Sequence, residues 1–203
     1  MTITTIIFDF GNVVIGWDPR GVYRPLLGDE HAIDEFFAEV GFSAWNLEQD
    51  RGRPWDEAVV ALASEFPHRR DLIRAYPEQW EKSITGPIEG TVRILHGLHD
   101  AGYELVGLTN WSAQTFAPTR AKHKFFEVFD HIIVSGEVGL VKPDPAIFRL
   151  TLQRTNRAAD QCLFIDDSST NIDAAAALGF HTILFQSPEQ LKRELAGKGI
   201  RSA

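Results

Sequence analysis

One cysteine in 203 residues, Cys162, leaves no partner for an intrachain disulfide and excludes a cysteine-built metal cluster. It leads into the apolar run Leu163-Phe164-Ile165, so it reads as a small packed side chain rather than a nucleophile. No stretch approaches the roughly 18 consecutive apolar residues of a membrane span. Basic runs are missing too: 20 Lys and Arg stand against 28 Asp and Glu, for a formal net charge of −8. That balance argues against a nucleic-acid surface, and the short clusters His68-Arg69-Arg70 and Lys122-His123-Lys124 read as solvated helix faces. There is no Gly-x₄-Gly-Lys-Ser/Thr loop, no Gly-x-Ser-x-Gly elbow and no His-Glu-x-x-His. His96 and His99 could share a helix face, but opposite Val92, Leu95 and Leu98 they read as solvated rather than ligating. The first residues lack the basic start of a signal peptide, and Asp9 falls where its apolar stretch would run, so a cytoplasmic setting is expected.

What remains is ordinary globular material, 44% apolar and 24% charged, with length for one core or for a core with an inserted subdomain. The chain is organised around Thr4-Thr5-Ile6-Ile7-Phe8-Asp9-Phe10-Gly11-Asn12-Val13-Val14. Its β-branched, apolar character predicts a strand buried on both faces, interrupted by one carboxylate and turned by Gly11-Asn12. From Gly16 to about Ser83 the signals are helical, with no strand-like alternation. Helical spacing covers Ala32 to Val40, Pro54 to Phe66, and Arg69 to Lys82 with an interruption near Pro77. Trp17, Trp45, Trp55 and Trp80 lie in this stretch, so it can bury a small core of its own.

After Gly86-Pro87, helices and strands alternate. Strands are predicted at Tyr103 to Thr109, His131 to Ser135, Leu163 to Ile165 and His181 to Phe185. Helices are predicted at Thr91 to Ala101, Ser112 to Lys122, Asp144 to Thr155, Asn171 to Leu178 and Pro188 to Ala196, with a tail past Gly197 that frays. The expected architecture is α/β: a doubly wound, Rossmann-like parallel sheet formed by 1–15 and 84–203, with an all-α insertion at 16–83.

In such sheets ligands bind beyond the carboxyl ends of the strands. There stand Asp9, Thr109-Asn110, Lys142 (taken as just after the third strand) and Asp166-Asp167. Adjacent aspartates repel each other and Asp9, and a helix cap needs only one of them. A hard divalent cation relieves that conflict, and Mg²⁺ prefers carboxylate oxygens. A cation beside an ammonium and a hydroxyl is in turn a site for a phosphoryl group.

Phe8-Asp9-Phe10-Gly11-Asn12-Val13, Leu108-Thr109-Asn110, Val141-Lys142-Pro143-Asp144-Pro145 and Phe164-Ile165-Asp166-Asp167 resemble the four ordered motifs of the haloacid dehalogenase superfamily. The helical stretch lies where that superfamily inserts its helical cap. Asp-x-Gly-Asn-Val and Arg51-Gly52 resemble bacterial sugar-phosphate phosphatases of the α-D-glucose-1-phosphate phosphatase type. The resemblance implies Asp9 as nucleophile, Thr109 and the Asn110 backbone on the phosphoryl oxygens, and Lys142 neutralising charge and orienting Asp9. It implies Mg²⁺ held by Asp9, the Gly11 carbonyl and Asp167, with Asp166 behind or beside them. Asp18 and Arg51 become candidates for contact with a small phosphorylated substrate; neither nucleic acid nor membrane is an expected partner, and the sequence is silent on oligomeric state.

One position departs from the pattern. Phosphatases of this superfamily usually carry a second aspartate, the general acid and base, two residues past the nucleophile; here that residue is Gly11. Either the substrate has a good leaving group, such as an anomeric oxygen, or Asp18 swings in as a substitute; the first is preferred because fixed geometry favours catalysis. A 2-haloacid dehalogenase, which needs neither the second aspartate nor a metal, ranks second, and a non-catalytic protein keeping the fold ranks last.

Overall fold

The computed structural model describes residues 2–201, so Met1, Ser202 and Ala203 of the expected core lie outside the described residues. The chain enters through strand β1 (Thr5–Phe8), every residue of which is buried. Side chains alternate along a strand: Ile6 and Phe8 join one apolar cluster and Ile7 the other, on opposite faces of the sheet. A short strand β2 (Ile15–Trp17) follows, and then helices α1 (Arg20–Leu27), α2 (Glu30–Val40), α3 (Phe42–Asp50), α4 (Trp55–Glu65) and α5 (Arg70–Glu78). Strand β3 (Ile84–Pro87) closes this excursion by pairing antiparallel with β2.

Helix α6 (Glu89–Asp100) leads to β4 (Glu104–Thr109), α7 (Ala113–Lys122), β5 (His131–Val134) and the one-turn helix α8 (Ser135–Val138). Next come α9 (Pro145–Thr155), β6 (Cys162–Asp166), α10 (Ser169–Ala177), β7 (His181–Leu184) and α11 (Pro188–Gly197). The sheet has the order β5-β4-β1-β6-β7, all pairings parallel. β1 is central: the chain builds outward through β4 and β5 on one side, then returns to build β6 and β7 on the other. The carboxyl ends of β1, β4 and β6 therefore flank the switch point, where the crevice of such a sheet opens.

Local chemistry sets several helix ends as expected. Asp144 caps α9 by accepting from the Ala146 N–H at 2.8 Å, with Pro145 in the first turn, and Ser187 caps α11 ahead of Pro188. Gly41 stops α2 in the left-handed region at φ 62°. The apolar faces of α1 to α5 meet around Tyr76, whose ring packs on Tyr23, Phe42, Trp45, Trp55 and Trp80. This helical stretch does bury aromatics of its own, but its core is continuous with one face of the sheet. Trp80 packs on Trp111, which follows β4, at a ring separation of 5.7 Å.

Four expectations need correction. The stretch read as free of strands is bounded by the β2–β3 pair, whose partners (Gly16 opposite Gly86, for one) lie about 70 residues apart and leave no local alternation. Helix α1, short and carrying Pro25 inside it, and α3, whose apolar periodicity is weak, are further elements of this stretch. Lys142 does not directly follow β5, because α8 intervenes. The tail does not fray immediately past Gly197: Ile200 is 3% exposed and its N–H bonds the Leu195 carbonyl. Cys162 is buried, and burial pushes its thiol up to about 11, as befits an inert packed side chain.

Candidate active site

β1 ends where the Asp9 N–H continues the ladder to the Ile165 carbonyl at 2.9 Å, delivering the Asp9 carboxylate to the switch point. Directly beyond it the Phe10 ring lies across Gly107 of β4, where a Cβ would stand 2.1 Å from the ring. Only glycine there allows the chain leaving β1 to pass so close to its neighbour. Asp9 Oδ1 accepts from the Phe10 N–H at 2.7 Å and from the Lys142 ammonium at 2.9 Å. No hydrogen bond to Oδ2 is made among the described residues.

The same ammonium reaches Asp166 at 2.6 Å, so one buried cation bridges two carboxylates from adjacent strands. Asn110 holds the Lys142 backbone from both sides: its amide donates to the Lys142 carbonyl at 2.9 Å and its oxygen accepts from the Lys142 N–H at 2.8 Å. The Asn110 side chain is thus a brace for Lys142. Asp166 is saturated further by the Ser168 N–H and by Asn171, which donates to both of its oxygens. Asp167 is exposed, and Thr109, at the end of β4, is 1% exposed.

Burial pushes the Asp9 carboxyl well above its usual range; the neighbouring Lys142 opposes this and Asp166 adds to it. Burial would lower Lys142, but the two carboxylates outweigh it and hold the ammonium charged. Asp167, although exposed as a residue, is raised by the partial desolvation of its carboxyl and by the charge of Asp166. Oxygens of Asp9, Asp166 and Asp167 lie within 4.8 Å of one another. An all-oxygen donor set crowded enough to repel itself fits a hard cation such as Mg²⁺.

These groups open into a cavity of about 200 Å³ between the sheet ends and the helical stretch. Asp9, Gly11, Thr109, Asn110, Lys142 and Asp167 line it from the sheet side, and Trp17, Trp80, Asn46 and Asp50 face them. Two expected residues are not brought to it. Asp18 accepts from Arg24 at 2.6 Å and from the Arg20 N–H at 3.0 Å, so it fixes the start of α1. Arg51 turns toward Glu48, on the same side of α3, at 3.6 Å. Of the tryptophans in the helical stretch, Trp45 and Trp55 are packed away from the cavity, whereas Trp17 and Trp80 line it.

Sequence reasoning missed Asp50, Asn46, Trp80 and Trp111. A signal existed for the first two: four residues apart, they share a helix face just ahead of Arg51-Gly52, and the Asn46 amide donates to Asp50 at 3.1 Å. Burial pushes Asp50 up to about 7; the Ser112 N–H opposes this and the charge of Asp9 adds to it. A carboxyl raised from 3.8 to about 7 on folding binds more protons folded than unfolded between those values, so stability falls as pH rises through that window. Asp50→Asn removes the slope. Thermal melts at pH 8 are expected to show the variant above the wild type, by a ceiling of about 4 kcal/mol, with the gain gone at pH 4. A variant less stable than wild type at pH 8 would contradict a strained Asp50.

A family model described as haloacid dehalogenase-like hydrolase matches residues 30–185. Among curated relatives, sesquiterpene phosphatase astK of Aspergillus oryzae is 26% identical, covering 88% of this chain and 87% of that protein. Drimenol cyclase drtB of Aspergillus calidoustus is 27% identical over 95% of this chain, which spans only 36% of that longer protein. Among solved structures, a HAD family enzyme of Bacteroides thetaiotaomicron in complex with magnesium and inorganic phosphate superposes with a TM-score of 0.67 at 19% identity, covering 91% of this chain and 95% of that one. L-2-haloacid dehalogenase of Xanthobacter autotrophicus gives a TM-score of 0.63 at 20% identity, covering 97% and 83%. At these identities the structural likenesses establish the fold. No helix among the described residues is long and apolar enough to cross a membrane.

Proposed function

Since the chain belongs to the haloacid dehalogenase-like hydrolases, we propose that this hydrolase is a Mg²⁺-dependent phosphatase acting on a small phosphorylated metabolite, a sugar phosphate in the first instance. The observation that carries this reading is the crowding of Asp9, Asp166 and Asp167 oxygens within 4.8 Å of one another, with the Lys142 ammonium pairing only Asp9 and Asp166 among them. A metal-free dehalogenation would leave Asp167 crowded against Asp9 and Asp166 with no cation to relieve the repulsion. The likeness to a sesquiterpene phosphatase and to a magnesium- and phosphate-bound enzyme supports the same choice.

In this reading Asp9 attacks phosphorus and becomes an aspartyl phosphate, which water then hydrolyses. Lys142 and Thr109 clamp the phosphoryl oxygens as their charge shifts, and Lys142 also keeps Asp9 aligned through its 2.9 Å contact. Asp9, Asp167 and the Gly11 carbonyl would hold the cation, with Asp166 behind them. When bound, Mg²⁺ supplies positive charge for the attacking carboxylate and the phosphoryl group. Residues 16–83 act as the cap domain over the core formed by 1–15 and 84–203. Two features favour a hydroxylated substrate body. Trp17, Trp80 and Trp111 form aromatic walls, and the buried indole N–H groups of Trp80 and Trp111 have no hydrogen-bond partner among the described residues.

The dehalogenase reading draws on one specific observation, the bare Gly11, and on the fold likeness noted for L-2-haloacid dehalogenase. A screen of phosphorylated metabolites with and without Mg²⁺, with a 2-haloacid control, separates the two. Activity is expected only with the cation, and saturating Mg²⁺ at 100 times its Kd is expected to stabilise the fold by about 2.7 kcal/mol. Asp167→Ala is expected to lose most of both effects. Turnover of the 2-haloacid in excess chelator would hand the site to dehalogenation.

A further inference from the structure

Gly11 leaves room where a second carboxyl would stand: a Cβ built on it meets nothing within 4 Å, and the residue lines the cavity. Three carboxylates line that cavity, those of Asp9, Asp167 and Asp50. The first two are engaged by the nucleophilic and cation-binding roles. Asp50 approaches from the opposite wall, at the carboxyl end of α3.

Its segment is docked onto the sheet domain at successive points. Asp50 lines the cavity beside Trp111 of the sheet domain, and the Asn46 amide steadies it from within α3 at 3.1 Å. Gly52, at φ +110°, lies so close to the chain after β5 that a Cβ would stand 3.2 Å from the Gly136 carbonyl. The Trp55 N–H then donates to Gln114 of α7 at 2.9 Å. A carboxyl held in this way meets the demand for fixed geometry that a swinging Asp18, tied to Arg24, would not.

We propose that Asp50 is the general acid and then the general base of the reaction, supplying from the opposite wall the carboxyl that Gly11 lacks. The role rests on the phosphatase reading. As an Asp9 oxygen bonds to phosphorus and the bond from phosphorus to the leaving oxygen breaks, the Asp50 carboxylic acid gives its proton to that oxygen, and the alcohol departs neutral. The Asp50 carboxylate then takes a proton from water as the water oxygen attacks the aspartyl phosphate. Inorganic phosphate leaves, Asp9 is again a carboxylate and Asp50 is again protonated.

The groups that face Asp50 favour this cycle. Asp9 and Asp167 across the cavity present negative charge, Lys142 positive charge already shared between Asp9 and Asp166, and Tyr76 of α5 a phenol that burial keeps protonated. An acid pushed up to about 7 is matched to give and retake a proton near neutral pH.

The test is the dependence of kcat/KM on leaving-group pKa, from p-nitrophenyl phosphate to simple alkyl phosphates, in wild type and Asp50→Asn with Mg²⁺ present. A shallow dependence is expected in the wild type. The variant should lose about 10²–10⁴-fold on alkyl esters and little on p-nitrophenyl phosphate, giving a steep dependence. Asp50→Glu should restore part of the alkyl rate. A steep dependence in the wild type overturns the role without reference to any variant, and so does a uniform loss across the series in a folded Asp50→Asn. No turnover of any phosphate ester by the wild type would instead sink the phosphatase reading.

Discussion

Asp9→Asn is expected to abolish turnover, by at least about 10³-fold, while leaving the protein folded and no less stable. Asparagine keeps an oxygen where Asp9 Oδ1 accepts from the Phe10 N–H and from Lys142. It loses the negative charge that attacks phosphorus. The folded state gives up little, because burial and Asp166 already raise the Asp9 carboxyl, so its charged form is held at a cost. Retained Tm with lost activity would thus separate a chemical role from a structural one. Activity within tenfold of the wild type would remove Asp9 from the reaction.

Lys142→Met is expected to cost both activity and stability. Lys142 is 3% exposed and is the ammonium that Asp9 and Asp166 share. Removing it leaves two carboxylates buried without a cation, a loss of about 3–5 kcal/mol for a broken buried pair. For a chain of this length that corresponds to a fall in Tm of roughly 6–20 °C. The sign of the pH dependence follows from which form the vacancy favours. With the ammonium gone, nothing opposes the burial that already raises the Asp9 carboxyl, so the variant loses stability as pH rises above about 4. The deficit against wild type should be larger at pH 8 than at pH 5. A deficit independent of pH would mean that the methionine merely packs badly, and that the charge bridge contributes little.

All five parallel strands were legible in the sequence for a plain reason. A strand buried on both faces must be apolar at consecutive positions, as Ile6-Ile7-Phe8 and Leu163-Phe164-Ile165 are. Against such runs the polar residues at the ends stand out, and the switch-point rule assigns them to one crevice. Sequence pattern alone therefore groups Asp9, Thr109, Asn110, Lys142 and Asp167, and the structure brings them to one cavity. Asp18, a sequence candidate for a substitute acid, is instead committed to local structure. Its partners, Arg24 and the Arg20 N–H, are set by the helix that it starts.

By itself, then, the sequence determined the α/β class, the strand ends that carry charge and the absence of an acid at Gly11. These are local properties: apolar runs, turns and residue identity. Only the tertiary structure decided which face of the helical stretch meets those strand ends. The pairing of Ile15–Trp17 with Ile84–Pro87 sets where that stretch leaves and rejoins the sheet. The docking of Gly52 on Gly136 and of Trp55 on Gln114 sets where α3 ends. Together they turn Asp50, an unremarked acid in a weakly periodic helix, toward Asp9. Its raised pKa has the same origin, since burial and a facing charge come from chain segments far away in sequence.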